Sequence, residues 1–157
     1  MQPELEAQIR WLADIEEIKQ LKARYALACD DDYDADRLAA LFTEDAVWDG
    51  GFMGFAETRQ GIHRFFANAS NLVAFAVHGV GNPLIEIEGD QARGSWYLHQ
   101  PMVMRGADQA FWFCARYEDE YLRTESGWRF ASVKVLPRAF SPYEQGFGRN
   151  LMAELPT

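Results

Sequence analysis

Cysteine is scarce, and its placement excludes more than its number does. The two cysteines, Cys29 and Cys114, stand far apart in apolar surroundings with no CxxC pair. A disulfide framework is therefore not expected, and both thiols read as buried groups of a protein in a reducing cytoplasm. The histidines, His63, His78 and His99, are too widely spaced to suggest a metal site. Basic charge is also short: 15 Lys and Arg against 24 Asp and Glu give a formal net charge of -9. That balance opposes nucleic acid and anionic membrane as partners, since both demand a basic surface. No apolar run approaches the roughly 20 residues needed to cross a bilayer, and no secretory leader is read at the start. His78-Gly79-Val80-Gly81 lacks the third glycine and following helix of a dinucleotide fingerprint, and GxSxG and Walker motifs are missing. Repeats, linkers and low-complexity segments are absent. One domain over residues 1–157 is expected, with an N-terminal arm at 1–13 and an irregular tail at 139–157.

What is present is apolar and aromatic. At 48% hydrophobic and 14% aromatic residues the chain is globular, and the aromatic load leaves room for an aromatic-lined pocket beyond an ordinary core. Ile15, Ile18, Leu21, Tyr25 and Cys29 recur at three- and four-residue spacing, which predicts a helix from Asp14 to about Cys29. An acidic run, Asp30-Asp31-Asp32-Tyr33-Asp34, interrupts it. Short helices are predicted over Asp36–Phe42 and Gln60–Ala69, and a strand over Ala46–Asp49 with a return over Phe52–Phe55. From Val73 onward the pattern is of strands: Val73–Val80, Leu84–Glu88, Ala92–Arg105, Gln109–Arg123 and Trp128–Val135. Asn82-Pro83 and Gly106-Ala107-Asp108 are among the turn signals between them. Long strands with tight turns favour a bent antiparallel sheet, and Pro101 inside one of them implies an edge or a bulge. The class is α+β: a cone-shaped roll in which a curved antiparallel sheet wraps around the N-terminal helices, leaving an apolar interior suited to a ligand.

His78 is the candidate base, because imidazole exchanges protons near neutral pH. An upstream carboxylate, Asp30 or Asp31, could fix its tautomer, and Tyr25 could donate to an oxyanion. These groups suffice to abstract a proton next to a carbonyl without metal or cofactor. If Tyr25 and Asp30 are to face one cavity, the helix must end near Cys29, since five helical residues turn them about 140° apart. His99 and Gln100 point to opposite faces of a regular strand, so one of them lines the interior unless Pro101 introduces a bulge. Trp48, Phe52, Phe55, Trp96, Leu98 and Met102 are the candidate pocket wall.

Asp14-Ile15-Glu16-Glu17-Ile18-Lys19-Gln20-Leu21-Lys22-Ala23-Arg24-Tyr25, followed by Asp30, Leu38 and Phe42, resembles the opening of SnoaL-like proteins. His78-Gly79-Val80-Gly81-Asn82-Pro83 and Gly94-Ser95-Trp96-Tyr97-Leu98 extend the resemblance, which runs from about Asp14 to Arg138. It implies the nuclear-transport-factor-2-like, or cystatin-like, fold, and within that superfamily the pattern is most similar to bile acid 7-alpha-dehydratases and scytalone dehydratases. In those terms Tyr25, Asp30 and His78 match catalytic positions, and Arg138 matches a late arginine. Where the bile acid enzymes carry a second aspartate, this chain has His99-Gln100, and Gln100 cannot serve as a carboxylate. Spacing from Tyr25 selects Asp30; counting back from Arg37-Leu38 selects Asp31. The resemblance implies a cofactor-independent lyase, a dehydratase for a small hydrophobic cyclic or polycyclic hydroxy-carbonyl compound. An isomerase or cyclase would use the same enolate. The alternative is a non-catalytic ligand-binding or oligomerising module, including the small-subunit type of ring dioxygenases. A homo-oligomer is expected, a trimer before a dimer, with a small hydrophobic molecule as the remaining partner.

Overall fold

The computed structural model describes residues 2–106 and 108–156; Met1, Thr157 and Ala107 of the predicted Gly106-Ala107-Asp108 turn lie outside them. Helix α1 runs from Pro3 to Asp30, well beyond the predicted start at Asp14. Its first turns continue the helix as an exposed arm, with Leu5, Ile9, Trp11 and Leu12 in contact with solvent. Further along, Ile18, Leu21, Tyr25 and Cys29 are buried, as the apolar spacing requires. The helix stops at Asp30 because Asp32 and Tyr33 both take left-handed backbone conformations, with φ of 56° and 54°. These turn the chain back, and Asp34 then caps the short helix α2 (Ala35–Ala39) by accepting from Arg37 N–H. Helix α3 spans Arg59–Ala69 and buries Ile62 and Phe66.

The strands are β1 (Phe42–Asp49), β2 (Phe55–Glu57), β3 (Val73–Ala76), β4 (Gly79–Glu88), β5 (Gln91–Met104), β6 (Gln109–Thr124) and β7 (Gly127–Pro142). They form one sheet in the order β2-β1-β7-β6-β5, with β3 and β4 both pairing with β5. The sheet is mixed rather than wholly antiparallel, because β1 runs parallel to β7. That pairing joins strands far apart in sequence, which local patterning cannot reveal. Bulges in the β6–β7 ladder, beside Ala115 and Tyr121, help to bend the long strands around the helices. The result is the expected α+β cone. Its interior holds Trp48, Phe66, Tyr117, Tyr121, Trp128 and Phe130, all buried. No helix among the described residues is long and apolar enough to cross a membrane.

The return strand expected over Phe52–Phe55 is instead a 3-10 turn at Gly51–Met53 followed by β2, and three further local expectations change. Asn82-Pro83 is not a turn: β4 passes through it with an irregularity between Gly81 and Leu84, and Asn82 takes the left-handed conformation there. Strand β7 continues to Pro142 instead of stopping at Val135. Pro137 lies past Lys134, where β1 ceases to cover that edge, and Phe140 is fully buried and stacked on Phe111. The remaining tail is irregular, but it touches β7 again at Met152 opposite Phe140.

The third change positions the site. The predicted strand Val73–Val80 is split, with Val77 and His78 outside both β3 and β4. The registers Ala76↔Met102 and Gly79↔His99 put Val77 opposite Pro101 and His78 opposite Gln100. Val77 N–H reaches the Pro101 carbonyl at 3.2 Å, but proline has no N–H to return, so the ladder opens there. Gly79 closes it again: a Cβ at that position would lie 2.9 Å from the His99 carbonyl oxygen, so the close approach requires glycine.

Candidate active site

His78 stands in the gap that Pro101 leaves. Its imidazole points inward, with the side chain 6% exposed. Asp30, the last residue of α1, meets it with a single carboxylate oxygen: Oδ1 accepts from His78 Nδ1 at 2.7 Å and from His78 N–H at 2.9 Å. An ionised carboxylate only accepts, so the proton of the neutral ring sits on Nδ1 and Nε2 keeps its lone pair. Asp31 is directed elsewhere, onto Arg37 at the surface. The end of α1 at Asp30 is what separates these neighbours.

His78 lines a mostly apolar cavity of about 120 Å³ inside the cone. Tyr25, Trp48, Leu98 and Gln100 are also in its wall, as are Tyr33, Phe66, Phe113 and Tyr117. The Tyr25 hydroxyl accepts a hydrogen bond from Trp48 Nε1–H at 2.9 Å, which leaves its own O–H as a donor. Burial holds the Tyr25, Tyr33 and Tyr117 phenols above their ordinary range, so they remain protonated. Burial likewise pushes up the Cys29 thiol, another group in the wall. The Tyr33 ring stacks on Phe66 and meets His78 edge-on at 6.0 Å between centroids.

The other sequence candidates divide. Of the pair on β5, Gln100 faces inward and is buried, whereas His99 is exposed on the outer face, with Nδ1 3.9 Å from Cys114 Sγ. No bulge arises at Pro101 in the β5–β6 pairing. Arg138 is exposed on β7, outside the cavity wall. Phe52 and Phe55 are also outside it: Phe52 packs on Phe113 and Phe140, and Phe55 lies at the surface in β2. Trp96 is buried but belongs to another part of the core, donating to the Tyr121 hydroxyl at 3.0 Å. Met102 is buried beside Gln100 and does not reach the cavity. His63 is bonded to Asp36 on the surface.

Sequence reasoning missed Tyr33, the one aromatic residue in the acidic run, whose inward turn depends on two left-handed residues. It also missed Leu155, which the returning tail carries into the cavity wall. Among the described residues no group of three or more His, Cys, Asp or Glu side chains is arranged to hold a metal ion.

A curled sheet closed over helices, with a histidine–carboxylate pair at the edge of an apolar interior, defines a cone-shaped α+β protein with an internal cavity. The chain belongs to the SnoaL-like family, whose domain matches residues 10–134. It is 32% identical over 120 residues to the uncharacterised protein Rv2910c of Mycobacterium tuberculosis, an alignment covering 75% of this chain and 81% of that one. An NTF2-like protein with a cystatin-like fold from Novosphingobium aromaticivorans superimposes with a TM-score of 0.72 at 26% identity, covering 83% of this chain and 86% of the other. The fold is shared with the hexachlorocyclohexane dehydrochlorinase LinA-type3 of Novosphingobium barchaimii LL02, with a TM-score of 0.79, 21% identity, and coverage of 86% and 93%.

Proposed function

We propose that this protein is a cofactor-independent lyase, a dehydratase for a small hydrophobic cyclic hydroxy-carbonyl compound. The observation that carries the reading is the His78–Asp30 contact of 2.7 Å at the wall of an apolar cavity. In this reading Nε2 of His78 removes the proton next to the carbonyl. The C–H electrons move into the enolate, and the Tyr25 hydroxyl donates to its oxygen. When the enolate collapses, the carbon–oxygen bond at the neighbouring position breaks and the carbon–carbon double bond forms. The departing hydroxide takes the proton back from the imidazolium as water. Substrate becomes enone plus water, and His78 ends neutral. Asp30 holds the tautomer and balances the transient charge. The fold shared with a dehydrochlorinase, also an eliminating enzyme by its name, is in keeping with this chemistry.

The test is a screen of cyclic β-hydroxy-ketones for the ultraviolet band of the enone. Wild type should produce it, and His78→Ala should not while keeping its circular dichroism spectrum. Full turnover in that variant would remove His78 from the mechanism. The reading includes a homo-oligomer, a trimer before a dimer. The aromatic patch of Tyr97, Trp112 and Tyr143 on the outer side of the sheet supports it, and sedimentation velocity would decide it.

A further inference from the structure

The inward face of β5 is apolar except at one position. Ala92, Trp96, Leu98, Met102 and Met104 are buried there, and Gln100 among them is 2% exposed. A buried carboxamide is costly unless its polar atoms find partners. Among the described residues, Gln100 is held by neighbouring side chains alone. Its Nε2 reaches the Met102 thioether at 3.5 Å, a weak acceptor, and the Tyr33 hydroxyl lies beside the same amide. The thioether is an acceptor that a ligand carbonyl oxygen can replace at the same N–H. The residue stands in the cavity wall.

Its position is tied to His78. Strand register puts the two residues directly opposite each other, so both side chains enter the cavity from the same wall. A cavity wall without Lys, Arg, Asp or Glu among the described residues offers nothing to a charged ligand. Burying a carboxylate or phosphate against Trp48, Phe66 and Phe113 would strip its water with no cation in return.

We propose that Gln100 is the specificity-determining residue of the cavity, its amide N–H binding the carbonyl oxygen of a neutral cyclic ketone whose adjacent carbon faces His78. The ligand class is then neutral alicyclic or aromatic-fused ketones, excluding carboxylates and phosphate-bearing thioesters. This assignment rests on the lyase reading only for the role of His78; the recognition of a ketone oxygen stands separately.

The experiment compares 2-tetralone, its hydrocarbon counterpart tetralin and the anion 2-naphthoate as ligands of the full chain, by calorimetry or ligand-observed NMR. Wild type should bind 2-tetralone about tenfold or more tighter than tetralin, the scale of one buried hydrogen bond. Gln100→Leu, of similar volume, should bring the two within about twofold by weakening only the ketone. Gln100→Met serves in the same way if the leucine variant does not fold. A ketone preference that survives in the variants, or one absent from wild type, overturns the assignment. Binding of 2-naphthoate as tight as that of 2-tetralone overturns the neutral-ligand class. Exchange of the α-protons of 2-tetralone in D2O is followed in parallel. A Gln100-dependent preference without His78-dependent exchange would leave this assignment standing and sink the lyase reading; exchange without the preference would do the reverse.

Discussion

Asp30 is an awkward residue for a helix to end on. A carboxylate at a helix C-terminus faces the negative end of the helix dipole and weakens it. Here two donors of one residue 48 positions away compensate: the ring and the backbone N–H of His78. The carboxylate thus does local harm and long-range good, a pattern that fits a side chain kept for its partner. Asp30→Ala should release the tautomer: nitrogen-15 NMR of the imidazole should change from the Nδ1–H form to a mixture dominated by Nε2–H. Tyr25 poses a related problem. Tyr25→Phe would strand the indole N–H of Trp48 in the core, at a cost of about 1–3 kcal/mol. Urea unfolding should register that loss, and Tyr25→Phe combined with Trp48→Phe should recover part of it. Turnover should stay low in both variants, which separates the hydroxyl's chemistry from its structural bond.

Elements were legible where one face of one segment carried the signal. The core face of α1, the inward Ile62 and Phe66 of α3 and the alternation of β5 and β6 all follow from spacing alone. What depended on a partner strand was not legible. The split between β3 and β4 needs Pro101 opposite Val77, and the parallel β1–β7 pair needs two segments to meet across most of the chain. Midway along α1, Asp14 receives Arg123 through both terminal guanidinium nitrogens, at 2.7 and 2.8 Å, and Trp128 Nε1–H at 3.0 Å, tying the helix to β6 and β7. The hydrogen bonds from Arg123 hold the Asp14 carboxyl below its ordinary value of 3.8. A depressed carboxylate stabilises the fold above its unfolded value and loses that contribution as pH falls through the lower folded value. Asp14→Asn should therefore be less stable than wild type at pH 7, by about 1–3 kcal/mol. The two urea curves should converge in acid below pH 3.8.

Across the whole molecule the most costly arrangement lies in the core. Lys22 of α1 and Asp119 of β6 form an ion pair at 2.8 Å with side chains 1% and 0% exposed. The ammonium rests 3.4 Å from the centre of the Tyr117 ring, and Tyr121 O–H donates to the same carboxylate oxygen. Desolvation lowers the lysine pKa and raises that of the aspartate, so each needs the other to stay charged. Lys22→Met alone should cost about 3–5 kcal/mol, because it strands the carboxylate, and Lys22→Met with Asp119→Asn should recover much of that in thermal melts. Neither residue announced this in the sequence, where Lys22 reads as one more helix-surface charge and Asp119 as one acid between Glu118 and Glu120. The candidate site was legible in its polar members, His78 and Asp30, through the resemblance, and illegible in Tyr33 and Leu155, which enter through chain reversals. The returning tail has a further meaning. The match to the family's domain ends at residue 134, yet Val135 and Leu155 lie in the cavity wall. Asp30 and His78 both fall inside the matched stretch, while part of the enclosure comes from chain beyond it. A change in the tail would therefore reshape the cavity while leaving the His78–Asp30 contact, built from other segments, untouched.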